Sequence, residues 1–170
     1  MSEQQLQAGV TGLEGFALEP PAPDLRQAFL RLQLGEEWAL LPLAQATEIL
    51  HIHPVDILPV PAMPTWVLGV YNWRGEMLWM LDLNALTGMT SVCELESAQQ
   101  SVKAIVVQVG QQKLGIAVQA VQDIELYDED RLQEAGPGVF PEQLLPYLGG
   151  YFIDAGPVID TRTLDYLPLS

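Results

Sequence analysis

Arg74 stands at the tip of the most apolar stretch of this 170-residue chain, in Asn72-Trp73-Arg74-Gly75, and is the only basic residue between Arg31 and Lys103. The chemistry of that set is recognition. A guanidinium offers a rigid fork of donors, and Trp and Arg are the residue types that most often anchor protein interfaces. Trp66, Trp73 and Trp79, three of the four tryptophans, lie in or just before this segment. Two histidines, His51 and His53, share one face if they sit on a strand, and with Asp56 they form a possible metal set of three. The single Cys93 lies beside Glu94 with no neighbouring base or second thiol, so it has no activated form. The chain has no Gly-x-Ser-x-Gly elbow, no Gly-Lys-Ser/Thr phosphate loop and no Gly-x-Gly-x-x-Gly. Docking accounts for these residues better than catalysis does.

The elements that must position these residues read as strands. Ala28, Leu30, Leu32 and Leu34 alternate with Arg31 and Gln33, Gly35-Glu36-Glu37 turns, and Trp38 to Leu41 returns. Leu43 to Ile52 reads as a helical turn leading into a strand. Pro54, Pro59, Pro61 and Pro64 keep 53–64 extended and unpaired, because each removes an amide donor. A hairpin follows over 67–83, reversing within Asn72 to Gly75, where Asn and Gly tolerate positive φ. A short helix opens at Asn84 as cap and stops at Gly88, before a polar loop over 89–101.

In the second half, Val102 to Val109 and Lys113 to Val121 form another hairpin, with Asp123 to Leu126 as its exposed continuation. Residues 128–146 read as a long loop. Two short strands (Tyr147 to Ile153, Pro157 to Ile159) and a helical turn from Thr161 to Leu167 close the chain. About ten short strands with little helix indicate small barrels or a sandwich. Two five-stranded barrels packed together would have a better core than either alone. Residues 1–24, ending in Pro20-Pro21-Ala22-Pro23, read as a flexible leader before an ordered domain over 25–168.

Composition narrows the partners. Twenty-two acidic residues against seven basic ones leave a net charge of −15. Such a chain is repelled by phosphate backbones and anionic lipid, so no nucleic acid and no direct membrane insertion are expected. A basic patch on a partner protein suits it better. One cysteine, no signal-like N-terminus and no apolar run near the ~20 residues of a membrane span lead to a cytoplasmic expectation.

Leu68-Gly69-Val70-Tyr71-Asn72-Trp73-Arg74-Gly75, followed by Leu81-Asp82-Leu83, resembles the CheW-like family: chemotaxis coupling proteins and the regulatory domain of their partner kinase. Leu41-Pro42-Leu43, Glu48-Ile49 and the spacing around Leu114-Gly115-Ile116 carry the resemblance over roughly 25–168. It implies an all-β fold of two intertwined five-stranded SH3-like barrels with a few short helices and a hydrophobic groove between them. It implies a non-catalytic adaptor without cofactors that bridges methyl-accepting receptor cytoplasmic tips and a CheA-type histidine kinase. A phototaxis or pilus-motility array is the related possibility. Glu48, Ile49, Asn72, Trp73, Arg74 and Gly75 are then the candidate partner-binding residues.

Trp73 stands where the family is usually aliphatic, Gln119 where Asp is frequent, and Ala46 where a larger aliphatic residue is common, and such changes alter which partner fits. Each candidate also has an ordinary reading. Trp73 is a contact if it points outward and core if inward. Arg74 has Glu76 and Asp82 as internal partners, and Glu48-Ile49 is a plain strand pair with one side chain in and one out. A second class of function, a small-molecule sensor or metal-dependent enzyme, would use the groove with His51, His53 and Asp56.

Overall fold

The computed structural model describes residues 23–98 and 101–166. The leader predicted over 1–24 lies outside them except for Pro23 and Asp24. Ten strands form in the order β1 (Gln27–Leu34), β2 (Glu37–Pro42), β3 (Ala46–Ile52), β4 (Val67–Trp73), β5 (Glu76–Asp82), β6 (Val102–Val109), β7 (Gln112–Val118), β8 (Ala120–Tyr127), β9 (Leu148–Phe152) and β10 (Gly156–Ile159). They make two five-stranded sheets, ordered β8-β1-β2-β10-β9 and β3-β6-β7-β5-β4. These are the two SH3-like barrels expected. The chain starts in the first barrel, builds the whole of the second with β3 to β7, and returns to finish the first, so the barrels are intertwined by connectivity.

The return overturns one expectation. Lys113 to Val121 does not run as a single strand, and Asp123 to Leu126, largely exposed as expected, does not continue it; β7 ends at Val118, and β8 crosses to the other sheet and pairs antiparallel with β1. The break falls on Gln119. Its side chain accepts a hydrogen bond (3.2 Å) from the buried Asn84 amide, so the polar residue at the crossover is held by a second polar group.

The largest apolar cluster lies between the sheets, where Leu30, Leu32, Leu34 and Leu41 of the first meet Leu81, Ile105, Val107, Leu114 and Ile116 of the second. The groove implied between the barrels is packed core along these residues. Two smaller clusters fill the barrels themselves: Phe29, Leu40, Phe152 and Val158 in the first, and Ile52, Trp73, Leu78, Met80, Ala104 and Val106 in the second. Strand β6 therefore buries Ala104 and Val106 on one face and Ile105 and Val107 on the other, which is why it reads as an unbroken apolar run. Close packing sets one glycine here. A Cβ at Gly115 would lie 2.4 Å from Met80 Sδ, inside van der Waals contact.

Two local expectations change. The proline-rich stretch is not wholly unpaired, because Leu58 exchanges backbone hydrogen bonds of 2.8 and 2.9 Å with Val70 on the outer edge of β4. That approach needs Gly69, where a Cβ would sit 2.1 Å from the Leu58 carbonyl oxygen. The short helix α1 (Leu83–Leu86) is capped by Asp82, not Asn84, with the Ala85 amide donating to Asp82 Oδ1 at 3.1 Å.

Candidate partner-docking site

The β4–β5 hairpin reverses in two residues. Trp73 pairs with Glu76, and Arg74 and Gly75 between them have φ of +52° and +82°. Two consecutive positive φ values define the type I′ reversal whose twist suits a hairpin. Asn72 is not one of the left-handed residues. Its Oδ1 accepts the Gly75 amide at 3.0 Å and ties the loop shut from the side. Asn72 and Gly75 thus shape the loop. The left-handed conformation costs an L-residue with a Cβ roughly 1–2 kcal/mol, and this chain places an arginine there.

Trp73 points inward. It is 6% exposed and packs with Ile52, Leu78, Met80 and Val106, so the reading of an outward indole is corrected: the side-chain alternation that puts Asn72 outside puts Trp73 inside. The polar edge of the ring still needs a partner in this position. Its Nε1 donates to Glu48 Oε2 at 3.2 Å. Glu48 also receives Arg74, whose Nη2 lies 2.9 Å from Oε2 and 3.1 Å from Oε1. Neither Glu76 nor Asp82, the partners sequence proximity offered, makes this pair. Asp82 is fully buried and accepts from the Ala85 and Val92 amides and the Ser91 hydroxyl, so it organises the chain after β5.

Arg74 is held without being hidden. Its side chain is 69% exposed, its guanidinium carbon lies 5.0 Å from the Trp73 ring centroid, and Nε and Nη1 have no partner among the described residues. A second cation shares the ring: Lys113 Nζ is 4.9 Å from the same centroid. Lys113 was not legible as a site residue. It reaches Trp73 because β7 runs parallel to β5, in a register that sets Leu114 against Trp79. No spacing in the chain announces that register.

Glu48, Trp73, Arg74 and Lys113 therefore form one cluster drawn from β3, β4, the turn and β7. Ile49 does not join it. Strand β3 alternates, so Glu48 faces the cluster while Ile49, 41% exposed, faces away beside Thr47 and His51. Beside the cluster is a depression of about 380 Å³ lined by Glu76, Met77, Leu78, Gln108, Gln111, Gln112 and Lys113.

The other candidates resolve differently. His51 and His53 are both exposed, with buried Ile52 between them, and Asp56 lies in a separate turn. Among the described residues no three His, Cys, Asp or Glu side chains converge as a metal site. The set of His51, His53 and Asp56 is thus not assembled among the described residues: His51 is on β3, His53 lies just beyond its end, and Asp56 closes the turn that starts at Pro54. Cys93 is half-buried. Burial first, and then the nearby Asp82 charge, push its thiol pKa up, away from the reactive thiolate. No helix among the described residues is long and apolar enough to cross a membrane.

Comparison with known proteins agrees with this architecture. The family model described as "CheW-like domain" matches residues 28–161. A chemotaxis protein CheW of Treponema pallidum is 25% identical over 122 residues, covering 71% of this chain and 66% of that protein. One of Rhizobium meliloti is 37% identical over 68 residues, 39% of this chain and 40% of that one. Protein PilI of Pseudomonas aeruginosa is 27% identical over 120 residues, 71% of this chain and 64% of that one. The chain thus spans about two thirds or less of the relatives it matches. The crystal structure of the scaffolding protein TtCheW from Thermoanaerobacter tengcongensis superposes with a TM-score of 0.67 at 22% identity, covering 79% of this chain and 87% of that one; this likeness bears on the fold alone. With paired five-stranded barrels, a cation-bearing hairpin and a family match over most of its length, this chain belongs to the CheW-like family.

Proposed function

We propose that this chain is a non-catalytic adaptor that couples methyl-accepting receptor tips to a CheA-type histidine kinase, with the β4–β5 turn as a docking surface. The observation that carries the reading is Arg74. It occupies a left-handed position where glycine fits better, and it is exposed, oriented by Glu48 and backed by an indole. Backbone strain at an exposed cation is a reason to look for function there. Orientation by Glu48 reduces the conformational entropy that a partner would otherwise have to remove on binding.

The mechanism is geometric. Holding a kinase beside receptor tips raises its effective concentration and fixes its orientation, so a small receptor shift biases kinase activity. Ile49, on the other face of β3, is the candidate for a second contact that does not compete with Arg74. Relatives named chemotaxis protein and PilI stand at similar identity, so both the chemotaxis and the pilus-motility arrays fall within this reading.

The test is recovery of purified kinase regulatory domain and receptor cytoplasmic fragment by the tagged chain. Arg74→Ala should reduce recovery of at least one partner while the thermal midpoint stays close to wild type. Undiminished recovery of both would count against the turn as a docking surface.

A further inference from the structure

Trp73 carries two cations and only one carboxylate serves them. Glu48 engages Arg74, while Lys113 has no carboxylate within ion-pair distance among the described residues, although Glu76 lines the same depression. Of the seven basic residues, Arg26, Arg31, Arg74 and Arg162 pair with a carboxylate, whereas Lys103, Lys113 and Arg131 do not among the described residues; of those three, Lys113 is the one seated over an aromatic ring. Here an ammonium and two guanidinium nitrogens are left with open donors around one ring. Exposed Met77 supplies an apolar wall to the adjoining depression, and the amides of Gln108, Gln111 and Gln112 line its rim.

We propose that Arg74 and Lys113, both seated on Trp73, form a clamp for a carboxylate side chain of the docking partner, with the residue next to that carboxylate packing against Met77. This makes Lys113 a specificity-determining residue, and it rests on the docking role of the turn given above. Charge complementarity selects the occupant: an Asp or Glu beside an apolar side chain, on a surface otherwise tolerant of this acidic molecule. Trp73 is the element the two cations share, each lying about 5 Å from its ring centroid (5.0 Å for Arg74, 4.9 Å for Lys113). An aliphatic residue at that position would offer neither of them a π face, so the clamp belongs to this chain's departure from the family pattern.

The experiment is a calorimetric titration of the full chain with the purified regulatory domain of a CheA-type kinase from the same organism, with the receptor cytoplasmic fragment in parallel, each at low and high salt. Lys113→Gln should weaken binding of one of them about fivefold at low salt, a rim-charge effect, and flatten its salt dependence; Lys113→Arg should restore most of it. In a Trp73→Leu background the Lys113→Gln loss should shrink towards nothing. Reversal by Lys113→Glu should be rescued by an Asp→Lys or Glu→Lys change at one acidic position of the partner. If Arg74→Ala weakens binding while Lys113→Gln matches wild type at both salts, the clamp is wrong and the docking turn stands. If the folded wild type binds neither kinase nor receptor, the docking reading fails and takes the clamp with it.

Discussion

Two arginine–glutamate pairs in this molecule use the same chemistry in different settings. Arg31 on β1 reaches Glu125 on β8 through both Nε and Nη2, and the same Nη2 also donates to the Tyr127 hydroxyl at 3.3 Å. Both side chains are a third exposed or less, and the pair bridges the neighbouring antiparallel strands β1 and β8 of the first sheet. Arg74 reaches Glu48 through Nη2 alone, from a turn, with most of its surface in water. The first arginine is consumed by the fold. The second is oriented by it and left with donors to spare. A partly buried fork satisfied on several donors contributes to stability, whereas an exposed single contact contributes ~0–1 kcal/mol and is more useful as a preset ligand.

The contrast can be broken at several points. The largest effect is expected at the ring beneath Arg74. Trp73→Ala should cost about 3–5 kcal/mol in denaturant unfolding, since it opens a cavity in the second barrel's core and removes the indole donor of Glu48, which keeps Arg74 alone. A loss under about 1 kcal/mol would mean that the ring is not core. Arg31→Met should follow at about 1–2 kcal/mol, because Glu125 and Tyr127 lose a part-buried partner. Arg74→Gly should be neutral or stabilising by up to about 1 kcal/mol, because it relieves the left-handed arginine, while partner recovery falls. Clear destabilisation there would place Arg74 with Arg31 as a structural residue.

The smallest effect is a pH dependence. The Arg31 guanidinium holds Glu125 below the usual carboxylate range. Its contribution is therefore complete above the ordinary Glu value of about 4.3 and is lost as pH falls through the lowered one. Stability in mild acid should fall less steeply for Arg31→Met than for wild type, by a few tenths of a kcal/mol given the exposure of the pair. Parallel acid curves would remove the pair from the account of stability.

Much of this is legible in the sequence alone. Strands β1, β2, β4, β5 and β6 follow from alternation and apolar runs bounded by turn residues, and the Asn72 to Gly75 reversal from Asn and Gly flanking a hairpin. Near-neighbour arguments failed where a long-range partner won. Asn84 reads as a cap, but Asp82, two residues earlier, accepts the Ala85 and Val92 amides and takes that role. Val121 looked continuous with β7, but β8 had a vacant edge at β1. Sequence proximity offers Arg74 the acids Glu76 and Asp82, and the parallel and antiparallel registers bring Glu48 instead.

What the residues alone determined is the local alphabet: where the chain can reverse, which runs alternate, and that a lone arginine sits at the tip of an apolar hairpin. Those properties depend on φ preferences and side-chain period, which act over a few residues. Which face Trp73 shows, which carboxylate meets Arg74 and whether Lys113 shares its ring were decided by tertiary structure, because strand order and register are set by burying two barrel cores at once. The cluster joins residues from 48 to 113 that no local rule connects.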